Sequence, residues 1–467
     1  MSDPNPAVAP AQFRSLLRSF AVDPGPLTDH VLTAEHLARI IAEEAGVTRD
    51  RVFTPAVTLA AFLGQVLSDD HSCQAALDRL IARRAARGLP PCSADTGGYC
   101  KARQRLPEAL LPRLARDAAD RIAGGAAEGW LFHGRRVVLA DGSSVSMPDT
   151  AANQREYPQP RQQKAGCGFP IARVVVLICL ATGCVLDAAI GGARGKLTGE
   201  HALLRSLRGR LRRGDVLLAD GYYSAFDAVM RLRLMGVDVV MRQTGNRRSD
   251  FRRGVRLGRE DHVVEWHRDR DRRAWMSREE FAALPRVMVM RELRVRVEQP
   301  GFRTKSFVVV TSLLDPAAFP AGELASLYRQ RWHCELDLRS IKSLMKMDVL
   351  RCKTPALVRK EFWAHLLAAN LIRGMMAEAA RRHGLLPRRL SFQGARQMIK
   401  GFRVELNRAA PAKVAGLVGV MLGAMATLRV GDRPDRVEPR VVKRRPKAYP
   451  RMQEPRKVFK DRVARAG

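Results

Sequence analysis

The sequence predicts an α/β protein, with a core of buried strands and helices set between helical regions and interrupted by a β-rich segment. Three observations predict it. Helical periodicity fills residues up to about 125, and short β-branched runs begin near 130. An Arg-rich stretch of alternating strands then separates those runs from a second helical region that starts near 319.

The N-terminal segments LTAEHLARIIAEEAG and CQAALDRLIARRAARG carry apolar residues at three- and four-residue steps, the spacing of one helix face. The second segment bears Arg79, Arg83, Arg84 and Arg87 and leads into a Gly-rich loop containing Tyr and Arg. Such a surface suits a DNA backbone, although a solvated helix face is the commoner fate of this charge. Residues 1–125 are read as a helical DNA-binding domain.

The period changes after that. RRVVLAD (135–141) is a β-branched run followed by Gly142, and IARVVVLICL and CVLDAAIGG follow as two more strands. HALLRSLRGRL is a helix, DVLLAD a buried strand that again runs into Asp-Gly, SAFDAVMRLRLMG a helix, and VDVVMRQ a strand. Three strands, helix, strand, helix, strand is the order of an RNase H-like sheet. Its parts would occupy 130–245 and 319–380, separated by a β-rich insertion at 246–318. In the insertion Leu293, Val295 and Val297 alternate with Arg294 and Arg296, as in a half-exposed antiparallel ribbon. C-terminal helices are expected over 381–430, and 431–467 reads as an extended basic, Pro-containing arm with affinity for phosphates.

Composition narrows the function. The 467 residues hold 81 Lys+Arg against 47 Asp+Glu, a formal net charge of +34, and 46% hydrophobic residues. The apolar share excludes a disordered chain, and the charge calls for a polyanion, of which nucleic acid is the natural candidate. Eight Cys without a CxxC pair read as reduced core residues. There is no basic-then-apolar leader, and the apolar stretch Val414 to Leu428 is short for a membrane span. The expectation is a cytoplasmic protein.

The chemistry concentrates in YRQRWHCELDLRSIKSLMK (328–346). Leu327, Trp332, Leu336, Ile341 and Leu344 recur at helical intervals, which places Tyr328, Arg331, Glu335 and Lys342 within a sector of roughly 60° at about 100° per residue. One face then presents a carboxylate with two cations and a phenol. Arg331 or Lys342 can equally pair with Glu335 at this spacing. Upstream, Asp141 and Asp220 each close a buried strand and precede Gly, at the edge where active sites of open α/β sheets lie. An isolated Asp-Gly is usually a turn. Two of them, in order, with Glu335 to follow, supply the three convergent acids that divalent-cation phosphodiester chemistry requires. Asp149, Asp187, Glu323, Asp337 and Asp348 lack either the strand edge or the shared helix face.

The spacing Y-x2-R-x3-E-x6-K resembles the signature of IS4-type insertion-sequence transposases. DGSSVSMPDTAANQREYPQPRQQKAGCGFPIAR, GKLTGEHALLR and ADGYYS look like the same family, so the likeness spans roughly 130–370. Two departures stand out: Ser143 where Thr commonly follows the Gly, and Gly221-Tyr222 where many members place Arg directly after the Asp. The resemblance implies a catalytic and metal-binding triad of Asp141, Asp220 and Glu335 with two Mg²⁺ ions, Mn²⁺ substituting. It implies that Arg331 and Lys342 hold phosphates and that Tyr328 positions the strand. It further implies cut-and-paste transposition through a hairpin, with terminal inverted repeats and target DNA as partners of a homodimer. Trp266 and Trp275 in the insertion could stack on an extruded base, or be core residues of the ribbon. A non-enzymatic DNA-binding protein explains the charge equally well but not the acids. A host nuclease of the same fold has no need of the N-terminal helices or the insertion.

Overall fold

The structure, a computed structural model, describes residues 33–46, 52–195, 198–297, 306–431 and 450–466. Among the described residues the first elements are helices: α1 (Ala34–Ala45), α2 (Pro55–Leu67), α3 (Cys73–Ala85), α4 (Gly97–Arg105) and α5 (Leu110–Gly124). Then follow β1 (Val137–Ser146), α6 (Ala151–Glu156), β2 (Ile171–Cys179), β3 (Val185–Gly192), α7 (Glu200–Leu207), β4 (Val216–Ala219), α8 (Phe226–Leu234) and β5 (Asp238–Arg242). Next come β6 (Val255–Gly258), β7 (Asp261–His267), α9 (Arg278–Ala282), β8 (Val287–Arg296) and β9 (Ser306–Thr311). The chain continues as α10 (Ala321–Arg329), α11 (Trp332–Arg339), a π-helical turn (Ser340–Leu344), α12 (Pro355–Arg382), α13 (Phe392–Arg408), α14 (Pro411–Thr427) and α15 (Arg456–Ala466).

These elements form two compact units. The first gathers residues 1–134, 177–188 and 336–430. Local chemistry starts its helices: Thr33, Thr54 and Ser72 each accept a hydrogen bond from a backbone N–H of the first turn, and Pro55 fills the first position of α2. The 28-residue α12 runs through the centre of this unit, packed on α2, α5 and α14, with Phe362, Leu366, Ala369 and Met376 inaccessible to solvent or nearly so. An apolar helix of this kind is stable only when surrounded. Its polar Asn370 is fully satisfied, donating to Ala115 O at 3.0 Å and Val185 O at 2.9 Å and accepting from Val185 N at 2.7 Å.

The second unit, residues 135–176, 189–335 and 431–467, is built on the sheet. Nine strands lie in the order β3-β2-β1-β4-β5-β9-β8-β7-β6. β1, β4 and β5 are parallel, and Val and Leu dominate their paired positions, as in strands covered on both faces. β9 returns antiparallel to β5, pairing Met241 with Val310, and β8, β7 and β6 continue the ladder. Strands β6 to β9 therefore extend the sheet of β1 to β5 at one edge. Within it Arg291, wholly buried, makes a two-pronged pair with Asp261 at 2.8 and 2.6 Å.

Three local expectations change. β1 does not stop at Asp141 but runs to Ser146; what ends there is its pairing with β4, which closes at Ala140 opposite Ala219. The single helix expected over 328–346 is split. The N–H groups of Arg331, His333 and Cys334 bond to the carbonyls of Tyr328, Gln330 and Arg331, a three-residue step that tightens the chain between α10 and α11. The far part of the basic arm forms helix α15 instead of extended chain, while its residues 432–449 lie outside the described residues, as do residues 1–32 of the N-terminal domain.

Candidate active site

Register positions the first two acids. Ala140 and Ala219 are partners on adjacent parallel strands, so Asp141 and Asp220 emerge side by side at the carboxyl edge of the sheet. Asp220 begins a 3-10 turn, its Oδ1 accepting from Tyr222 N at 2.7 Å. Asp141 Oδ1 accepts from Gly142 N at 2.8 Å.

Arg331 joins Glu335 to them. Its Nη2 donates to Glu335 Oε1 at 2.8 Å and its Nη1 lies 3.8 Å from Asp141 Oδ2. One guanidinium thus faces both Glu335 and Asp141. The electrostatics show a site short of positive charge. Burial pushes the Asp141 carboxyl up to about 6; the Gly142 N–H and Arg331 oppose this, and Glu335 and Asp220 add to it. The Tyr223 phenol is pushed far above its ordinary range, first by burial and then by Glu200, Asp141 and Asp220.

Residues 132–371, just over half of the chain, match the family model described as the transposase DDE domain. The chain belongs to the DDE transposase family. Its likeness extends beyond that domain: it is 28% identical over 436 residues to the transposase InsG of insertion sequence element IS4 from Escherichia coli K12, covering 91% of this chain and 94% of the relative. This makes it a transposase of the IS4 type. A shorter match, 36% identical over 76 residues, joins it to the putative transposase InsL of IS186A from the same organism, covering 16% of this chain and 20% of the relative. Among solved structures, the piggyBac transposase synaptic complex with hairpin DNA aligns over 88% of this chain and 85% of its own at a TM-score of 0.43 and 10% identity. By the family model and the IS4 relative, the transposase is a DNA-cleaving enzyme that acts in DNA transposition and binds DNA.

Transposase domains of this family use divalent metal ions, and the donor set suits them. Three carboxylates are hard oxygen ligands, and their mutual repulsion at Asp141 is the kind that a cation relieves. Among the described residues no three acidic, His or Cys side chains already stand close enough to grip one ion. The positive charge between Asp141 and Glu335 is that of Arg331.

The remaining sequence candidates fare differently. Tyr328 is buried, its ring 5.2 Å from that of Phe307, and burial raises its phenol above the ordinary value. Lys342 lies on the π-helical turn, after the regular helix has ended. Trp266 is only 1% exposed and its Nε1 donates to Glu292 Oε1 at 2.7 Å, so it is a core residue of the ribbon and not a surface for a base. Trp275 is half-buried, with Arg205 at 4.0 Å over its ring, and lines a cavity of about 310 Å³ with His201, Arg208, Arg231 and Arg273. Sequence reasoning misses one residue. Trp332, which fits an apolar helix stripe, is 55% exposed beside Arg331.

Proposed function

We propose that the transposase excises and reinserts its element by cut-and-paste chemistry on an RNase H-like core, with Asp141, Asp220 and Glu335 as its metal-binding and catalytic acids. The observation that supports this most directly is the Ala140–Ala219 register, which sets two acids side by side, with Glu335 tied to Asp141 through one arginine. Two Mg²⁺ ions held there, or Mn²⁺ in their place, would activate the attacking oxygen and stabilise the leaving one.

The protein's own groups prepare that chemistry. Asp141 must shed its proton, which it holds up to about pH 6, before it can act as a ligand. Arg331, released from Glu335 and Asp141, offers its fork to a phosphate of the bound strand, and Lys342 offers a point charge. Tyr328 packs beside Arg331 and limits where that strand can lie. Trp332, exposed, and Trp275, with the arginines of its cavity, present aromatic faces to unpaired bases. On this reading the transposase pairs the two terminal inverted repeats as a homodimer, nicks each end, and closes a hairpin with the freed 3′-hydroxyl before joining target DNA. The helices of residues 1–125, bearing Arg79, Arg83, Arg84 and Arg87, contribute DNA-backbone contacts.

Excision in cells of a marker flanked by the gene's own genomic ends tests the proposal, wild type against Glu335→Gln. Excision lost only in the variant is the expected result. Excision by neither protein, with both still binding the ends, points instead to a DNA-binding regulator.

A further inference from the structure

The cavity of about 310 Å³ that Trp275 lines opens among α7, α8 and the segment between β7 and α9. Its volume is that of a small-ligand pocket, and Leu204, Leu232 and Met241 give it an apolar wall. Its charge is one-sided. Arg205, Arg208, Arg231 and Arg273 line it against a single acid, Asp227.

Arg273 is matched, with Nη2 at 2.7 Å from Asp269 Oδ2 and Nε at 3.6 Å from Asp227 Oδ1. The other three are less well served. Arg231 Nη1 stands 3.5 Å from Glu280 Oε1, long for a hydrogen bond and to an exposed carboxylate. Its Nε and Nη2 are shut off from solvent without a hydrogen-bond partner among the described residues. Buried donors in that state cost free energy that an incoming acceptor recovers. Arg205 lays its guanidinium over the Trp275 ring at 4.0 Å, and Arg208 Nε donates to a backbone oxygen, Arg205 O, at 3.3 Å. Burial, and after it the neighbouring guanidiniums, hold Arg205 and Arg208 below the ordinary arginine value, with Asp227 and Glu280 opposing. Arg291, by contrast, closes both prongs on Asp261.

A phosphodiester within a strand brings one negative charge, whereas a phosphomonoester brings about −1.5 to −2 at pH 7 and three accepting oxygens. Three converging guanidinium forks suit the monoester. We propose that this cavity binds the phosphomonoester of a nucleotide, with Arg205, Arg208 and Arg231 around the phosphate and the apolar wall beside the nucleoside. Two sources supply that group. One is a free nucleotide. The other is a DNA 5′ end: water that cleaves a phosphodiester adds its hydroxyl to phosphorus, gives its proton to the departing 3′-oxygen and leaves a 5′-monoester. Only the second source rests on the cleavage reading above.

Isothermal titration calorimetry of the full-length transposase in EDTA, which keeps cations off the acids, tests the site without any cleavage. Adenosine 5′-monophosphate should bind saturably where adenosine does not. Arg231→Gln and Arg208→Gln should each weaken it by about tenfold or more, the loss of a hydrogen bond to a charged group. Arg208 lies past the end of α7, so its variant serves if Arg231→Gln disturbs α8. Displacement of the nucleotide by a 5′-phosphorylated single strand, and not by its 5′-hydroxyl counterpart, assigns the site to a DNA end. Preference for the phosphorylated strand with no binding of the nucleotide does the same, and nucleotide binding that neither strand displaces assigns it to a free nucleotide. The proposal is overturned if the 5′-phosphate adds nothing to the binding of either the nucleoside or the strand, or if both arginine variants bind as wild type. Neither result touches the excision test of the three acids.

Discussion

Glu335 and Asp337 stand two residues apart on one helix, and their surroundings differ in kind. Asp337 is 3% exposed and pairs with both Arg373 and Arg388, the latter at 2.6 Å. Arg388 also donates to Leu180 O at 2.6 Å and Cys179 O at 3.1 Å. Here two cations serve one acid. At the proposed active site one guanidinium serves both Glu335 and Asp141, and the Asp141 carboxyl, already raised by its burial, is crowded further by Glu335 and Asp220. The lesson is one of charge ratio. A saturated acid is structural, whereas a group of under-compensated acids keeps capacity for an incoming cation.

Substitutions can break that contrast, most forcefully at Asp337. Asp337→Asn leaves two buried guanidiniums short of their counter-charge and should cost about 3–5 kcal/mol of stability by chemical denaturation. A loss below about 1 kcal/mol would remove the distinction. Asp141→Asn should do the opposite. The folded carboxyl is raised from 3.8 to about 6, so the folded state binds more protons, and this group's contribution to stability declines as pH rises through that window. At pH 8 without divalent ions the variant should gain up to about 3 kcal/mol, since each tenfold change in proton affinity is worth roughly 1.4 kcal/mol, with no gain below pH 3. Destabilisation at pH 8 would count against strain at Asp141.

On the proposed reading of the site, the same proton governs metal entry. Mn²⁺ affinity of the wild type should drop about tenfold per pH unit below 6 and level off above it, and a flat profile from pH 5 to 8 would exclude Asp141 as a ligand. The two tryptophans give the smallest effects. Trp266→Phe removes the shortest of the hydrogen bonds to the buried Glu292 carboxylate, which keeps Gln243 and His262, and should cost about 1–3 kcal/mol. Trp332→Ala should leave stability within about 0.5 kcal/mol yet weaken binding of a single-stranded end, measured by fluorescence anisotropy.

What the sequence disclosed follows from what its periodicity encodes. The order of β1 to β5 with α7 and α8 was legible because fully buried parallel strands read as unbroken Val and Leu runs. Asp141 and Asp220 stood out because each follows such a run. The continuation of β1 past Gly142 did not, since it depends on which neighbour stops pairing. Trp332 and Leu336 fitted a regular helix stripe, but the tightened turn at Gln330–Arg331 shifts the helical phase, and Cys334 and Leu338 are the buried residues instead.

The burial of α12 has a consequence for how the polypeptide is made. Its apolar circumference packs on α2 and α5, yet more than 200 residues separate the end of α5 at Gly124 from Pro355. At bacterial synthesis rates of about 5–20 residues per second, the N-terminal helices wait roughly 10–45 s for the helix that covers them. Leu110, Leu111 and Leu114 lack that cover throughout the interval. The sheet strands β1 to β9 are all synthesised before α12. Ribosome pausing between residues 124 and 355 therefore lengthens the period in which the nascent chain can aggregate, and the yield of native enzyme depends on translation speed and chaperone supply as well as on equilibrium stability.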